Sequence, residues 1–129
     1  VAAEPCTVLF IDVGRILHVC SNTCTHHERL IRNLLTLSAQ KNLGLSRKIF
    51  HTSSKSIRGR LLSYLSYQAR RCGSRTFTIP FDRQQLADYL NVDRSALSNE
   101  LGKMQKEGLL QTQRSRFVLL CDEEQLPEE

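Results

Sequence analysis

Residues 79–110 read Ile79-Pro-Phe-Asp-Arg-Gln-Gln-Leu-Ala-Asp-Tyr-Leu-Asn-Val-Asp-Arg-Ser-Ala-Leu-Ser-Asn-Glu-Leu-Gly-Lys-Met-Gln-Lys-Glu-Gly-Leu-Leu110, and the placement of their polar residues decides the fold. Asp82 followed by Gln85 fits a capping box, with Phe81 and Leu86 spaced as the hydrophobic staple across it. A helix is expected over residues 83–90, burying Leu86, Ala87 and Leu90 and stopped by Asn91, a residue that tolerates the left-handed conformation. Asp93 caps a second helix, Val92 and Leu97 repeat the staple, and that helix runs over residues 94–107 to Gly108. Two short helices joined by so brief a turn form a helix-turn-helix.

At 100° per residue the second helix sorts into two faces. Leu97, Leu101 and Met104 gather on one side. Opposite them lie Ser95, Asn99, Gly102 and Lys106, flanked by Ser98 and Lys103, with Arg94 at the N-terminal end. An outward face of short, polar and basic residues suits a DNA major groove, where amides and guanidinium groups read base edges. A merely solvated face would carry Glu–Lys pairs at i,i+4, and this one has none.

Working outward, residues 109–113 and 117–121 read as two strands joined across Arg114-Ser115-Arg116, a basic hairpin of the kind called a wing. Arg114 and Arg116 are placed to meet phosphate or the minor groove, with Arg83, Ser98, Lys103 and Lys106 as flanking contacts. Upstream, residues 76–79 alternate as a short strand ended by Pro80. Residues 55–71 form a helix with Ile57, Leu61, Leu62 and Leu65 apolar and Arg58, Arg60, Arg70 and Arg71 outside, ended by Cys72-Gly-Ser. Residues 26–53 form a longer helix, in which Ile31, Leu34, Leu35, Ser38, Asn42, Leu45 and Ile49 step by three and four as a seam with polar interruptions. Such a seam wants a partner, either its own domain or, the reading favoured because polar seam residues set pairing register, a second copy. Residues 7–19, rich in β-branched residues around Asp12-Val-Gly, read as a strand, a break and a second short element.

Taken together, residues 79–110 resemble the winged-helix domain of the Crp/Fnr family of bacterial transcription regulators. The likeness extends through Ile57-Arg-Gly-Arg-Leu-Leu-Ser-Tyr-Leu to the long helix, which looks like the family's dimerisation helix, and Val8-Leu-Phe-Ile-Asp looks like the last strand of its cupin-like effector β-roll. The resemblance implies a mainly α fold with small β: residues 1–25 as remnant of the effector β-roll, 26–53 as dimerisation helix, 54–121 as winged helix-turn-helix and 122–129 as an acidic tail. It implies a cytoplasmic homodimer that reads an inverted repeat in double-stranded DNA, with RNA polymerase as a further partner. The family's base-reading positions fall on Arg94, Ser95 and Asn99. Relatives commonly have Arg where this chain has Asn99, and an asparagine reads adenine where arginine reads guanine. The family's cyclic-nucleotide glycines and arginine have no counterpart in residues 1–25, so no cofactor is assigned to this stretch and its DNA binding is expected not to respond to cyclic nucleotides.

Composition agrees with that reading. The 129 residues carry a formal charge of +5, 40% hydrophobic and 24% charged residues, ordinary for a globular chain. Residues 53–121 hold twelve Lys/Arg against five Asp/Glu, whereas residues 122–129 hold five acids and no base. A basic middle segment suits a polyanion partner, and charge alone fits a solvated basic face equally well. The best apolar run, residues 8–11, is cut by Asp12, far below the ~20 residues of a membrane span, and too short for a signal peptide. The chain opens on Val1, and a processed or truncated product is expected. Five cysteines, an odd number, argue for reduced thiols.

Cys20, Cys24 and His27 offer soft ligands at a helix start, yet zinc wants four groups and the spacing is not CxxC. Cys6, Cys72 and Cys121 read as core or incidental residues, and His18, His26, His27 and His51 have no motif partner. No nucleophile elbow, phosphate loop or paired-carboxylate motif is present, so the chain is not read as an enzyme. Three functions from different classes stand: a dimeric DNA-binding regulator, a winged helix serving as a protein-interaction module, and a Cys/His metal or redox sensor. Steep salt-dependent DNA affinity separates the first from the second.

Overall fold

The computed structural model describes residues 4–17 and 25–120. In chain order its elements are α1 (Val13–Leu17), α2 (Thr25–Ser53), α3 (Ile57–Cys72), β1 (Thr76–Thr78), α4 (Arg83–Leu90), α5 (Arg94–Lys106), β2 (Leu110–Gln113) and β3 (Arg116–Leu119). Residues 1–43 and 44–129 form two separate units, with α2 running through the boundary.

The helix ends lie where side-chain chemistry puts them. Ser56 takes an extended conformation and accepts from the Gly59 N–H at 3.0 Å, so α3 begins two residues later than expected. Gly73, at φ 61°, closes it. At α4 the capping box is complete: Asp82 accepts from the Gln85 N–H at 2.8 Å, and Gln85 Oε1 accepts from the Asp82 N–H at 2.9 Å. Asn91, at φ 54°, ends α4, and Asp93 opens α5.

β1, β3 and β2 form an antiparallel sheet with β3 in the centre. Phe77 pairs with Phe117, and Leu110 with Leu119, so one face of the sheet is buried and apolar while Thr76, Thr78, Gln111, Gln113 and Arg116 line the other. The connecting turn is shorter than the sequence implied. Arg114 and Ser115 make it alone, and Arg116 already belongs to β3, opposite Gln113 and Thr78, because pairing to both neighbours draws it into the ladder. The inner face packs on Leu61, Tyr64 and Leu65 of α3, Leu86, Ala87 and Leu90 of α4, and Leu97, Leu101 and Met104 of α5, which form one core. The result is a mainly helical winged helix with a small three-stranded sheet.

Two further expectations are corrected. No strand forms at residues 7–12: they are irregular, with Leu9 and Phe10 exposed, and no ladder among the described residues takes them in. Val13–Leu17 is helical. Arg58 and Arg60 are not simply outside. Arg60 donates to the carbonyls of Leu90 and Asn91 at 3.2 and 3.0 Å, satisfying the end of α4, and Arg58 reaches α5. Cys6 and Cys72 are exposed, which leaves the incidental of their two readings, while His18, Cys20, Cys24 and Cys121 lie outside the described residues.

Along α2 the seam residues Ile31 and Leu34 are half-buried, and Leu35, Ser38, Asn42, Leu45 and Ile49 are exposed. The helix is anchored at its last turn by His51, which is buried with its Nδ1 3.0 Å from Ser63 Oγ. The rings of Tyr64, Tyr67 and Tyr89 surround it. Burial pushes the Tyr64 hydroxyl up to about 12, so it stays protonated at neutral pH.

Candidate nucleic-acid interface

The residues expected to read bases lie on α5, and the helix presents them outward. Arg94, Ser95, Ser98, Asn99, Lys103 and Lys106 are all exposed, opposite the buried Leu97, Leu101 and Met104. They do not stand equally ready. The Ser95 hydroxyl and N–H both donate to Asp93 Oδ1, and Ser98 Oγ donates to the Arg94 carbonyl at 2.9 Å. Both serines therefore face a ligand as acceptors. Among the described residues no hydrogen bond holds the Asn99 amide, leaving it a donor and an acceptor in one plane.

The Asp93 carboxyl sits below its ordinary pKa, chiefly because the Ser95 hydroxyl and then the Ala96 and Ser95 N–H groups bond its ionised form. A lowered folded pKa means that its stabilisation is complete above the unfolded value near ~3.9 and disappears as pH falls through the folded value. Comparison of wild type with Asp93→Asn by urea denaturation is expected to give a constant gap at neutral pH that narrows below about pH 4. A gap independent of pH would show that the carboxylate charge plays no part in the cap.

Arg83, Arg94 and Arg114 converge from α4, α5 and the turn on a notch of about 570 Å³, also lined by Asp82, Gln84 and Ser115. Arg114 is held at φ 54°, a left-handed conformation that favours glycine. Ser115 fixes the turn against the helical core: its carbonyl accepts from the Ile79 N–H at 2.9 Å, and its hydroxyl donates to the Phe81 carbonyl at 3.2 Å. Arg83 is less available than the sequence implied. Its guanidinium lies over the Phe117 ring at 5.2 Å and donates to Thr112 Oγ1 at 2.8 Å, and desolvation lowers its pKa. It ties α4 to the wing. A second concavity, about 630 Å³ between Gln105 and the outer face of β2 and β3, contains one cation, Arg116, among amides and hydroxyls. The arginine notch is the better match for an anion.

Sequence reasoning missed Thr112, Ser115 and Arg58. Thr112 alternates inward in a strand, a signal that was there to read, but the partners of Ser115 and Arg58 lie far away along the chain. His27 lies on α2, and among the described residues no three His, Cys, Asp or Glu side chains gather as a metal site. Among them, too, no helix is long and apolar enough to cross a membrane.

Comparison with known proteins fits this geometry. The "Probable transcriptional regulator flp" of Lacticaseibacillus casei is 28% identical over 123 residues, covering 95% of this chain and 53% of its own length. The chain thus spans about half the length of the curated relative it matches. A solved structure of a Crp/Fnr-family transcriptional regulator from Eubacterium rectale superposes with a TM-score of 0.52 at 20% identity, over 78% of this chain and 44% of that one, a likeness of fold. The profile of the Crp-like helix-turn-helix domain matches residues 59–129, which include the two capped helices, the notch and the wing, and the protein accordingly belongs to the Crp-like helix-turn-helix domain family of the Crp/Fnr regulators.

Proposed function

We propose that the chain is the DNA-reading part of a transcription regulator and binds an inverted repeat in double-stranded DNA as a homodimer. Each α5 enters the major groove of one half-site, with Arg94, Ser95 and Asn99 at the base edges. Lys103, Lys106, Ser98 and Arg116 take the flanking backbone, Arg114 holds a phosphate at the notch, and Arg83 supports it there. The seam of α2, from Ile31 to Ile49, joins the two copies, and RNA polymerase is the downstream partner of the assembled complex. The observation that carries this reading is the convergence of three arginines, from two helix starts and a turn held at positive φ, beside an outward helix face without a carboxylate. Positive φ is what a two-residue hairpin turn demands, and an arginine in place of the favoured glycine sets a cation on that turn.

The test is selection from random duplex DNA, followed by salt titration of the winner. An enriched inverted repeat with half-sites about one helical turn apart is expected. Asn99→Ala should weaken that site by about 1–3 kcal/mol and relax one base position, while Arg114→Ala and Arg116→Ala should each shallow the salt slope by about one unit on every sequence. An unchanged selected sequence with Asn99→Ala would remove that residue from readout. Absence of binding at low salt would instead favour a winged helix that docks protein.

A further inference from the structure

Arg58 occupies the second position of α3, where a cation meets the positive end of the helix. Glu107 is the C-cap of α5, where a carboxylate meets the negative end. Neither is placed by local helix electrostatics. What unites them is a contact between helices. Arg58 Nε donates to Glu100 Oε1 at 2.7 Å, and its two terminal nitrogens donate to Glu107 Oε2 and Oε1 at 2.8 and 2.9 Å. Every nitrogen of the guanidinium is engaged. The fork on Glu107 is the bidentate geometry that fixes direction as well as distance.

The two carboxylates stand seven residues apart, so a single cation spans about 10 Å of α5. On a helical wheel they lie about 60–80° from Leu97, on the flank between the buried side and the outward one. The buried side consists of Leu97, Leu101 and Met104, and non-directional apolar packing leaves a helix some freedom to roll. A strap anchored at two successive levels on one flank removes that freedom. Among the described residues Lys103, 3.9 Å from Glu100, is the other cation facing the pair, too far away to substitute for the fork.

We propose that Arg58 is a positioning residue for the reading helix: by clamping Glu100 and Glu107 it fixes the roll of α5 and so the direction in which Arg94 and Asn99 face the bases. This rests on the DNA-reading function proposed above. It separates specific from sequence-independent binding, because phosphate contacts tolerate a small roll that base contacts do not.

The test uses the full chain as wild type, Arg58→Gln and Glu107→Gln, each kept at a temperature where circular dichroism shows it folded. Affinity is measured on the duplex won from the random pool and on a scrambled duplex, across salt. Arg58→Gln should lose roughly ten-fold on the selected duplex, stay within about two-fold on the scrambled one and keep its salt slope within about half a unit. Glu107→Gln is the sharper variant. Removing a negative charge alone would tighten both duplexes, whereas loss of the strap lowers the ratio between them. Equal loss on both duplexes with a slope shallower by about one would make Arg58 a phosphate contact and overturn the proposal. So would wild-type selectivity in both variants. Amide exchange along α5 gives a readout without DNA. Faster exchange over residues 101–107 in Arg58→Gln supports the strap, and unchanged exchange overturns it, even if wild type fails to distinguish the duplexes and the DNA reading itself falls.

Discussion

Replacing Leu35 and Leu45 together by Asp is expected to leave the chain a monomer of 14.8 kDa and to lower its affinity for a two-half-site duplex by a factor of roughly 10²–10⁴. Both side chains lie on the seam of α2, and they are 66% and 60% exposed, as unpartnered leucines in a single copy would be. Ile49 beside them is 69% exposed. Burying a leucine against a second copy is worth about 1.5–3 kcal/mol, and a dimer doubles each contribution by symmetry. Asp at both positions removes those gains and sets carboxylates into the seam, at little cost to the helix itself, since Asp is only about 0.5 kcal/mol poorer than Leu in helix propensity. The DNA consequence follows from linkage: one bound half-site holds the other at high effective concentration, and a monomer forfeits that. Sedimentation equilibrium and a titration on the selected duplex check both parts. A dimeric mass in the double variant would place the interface off α2. A monomeric variant with undiminished affinity would show that one α5 suffices.

What could be read from sequence was the chemistry that acts within a few residues. Asp82 with Gln85, Asn91, and Asp93 declare the ends of α4 and α5 because each satisfies backbone groups two to four positions away, and the observed caps match. The outward face of α5 was legible for the same reason, since helical period alone separates Asn99 from Leu97. The contacts that hold this face in place were not. Arg58 finds its carboxylates 42 and 49 positions on, and Arg83 finds Thr112 29 positions on. Only the placement of Arg58 against the dipole of its own helix hinted that its partner lay elsewhere. The wing was found, but its turn was read one residue too long, because Arg116 pairs with β1 as well as β2, and the three residues of β1 give little sign of their partner. Residues 7–12 failed in the opposite way: their β-branched composition states a preference, and no strand among the described residues pairs with them to realise it.

Arg83 shows how the two kinds of information meet, and Phe117 is where their connection is tested. Phe117→Ala is expected to lower the unfolding free energy of the winged helix by about 3–5 kcal/mol, the usual range for emptying a buried aromatic site. The ring is fully buried on the central strand, its backbone pairs with β1 on one side and β2 on the other, and it stacks on Phe77 with centroids 6.2 Å apart. Arg83 covers it at 5.2 Å, so truncation also takes away the ring against which that half-buried guanidinium is desolvated. Urea denaturation measures the loss, and Phe117→Leu, which refills most of the volume, should recover the larger part of it. The functional consequence separates packing from charge. Arg114 lies in the turn that this sheet supports and Arg116 opens the strand after it, and without the ring between the wing and α4 they lose their fixed distance from α5. At a temperature where the variant is still folded, its salt slope on DNA should therefore become shallower by about one to two units although no charge has been removed. A variant that is less stable yet keeps the wild-type slope would mean that the wing arginines do not depend on the sheet for their contact with phosphate, and the arrangement of arginines around the notch would then be a consequence of the fold rather than its use.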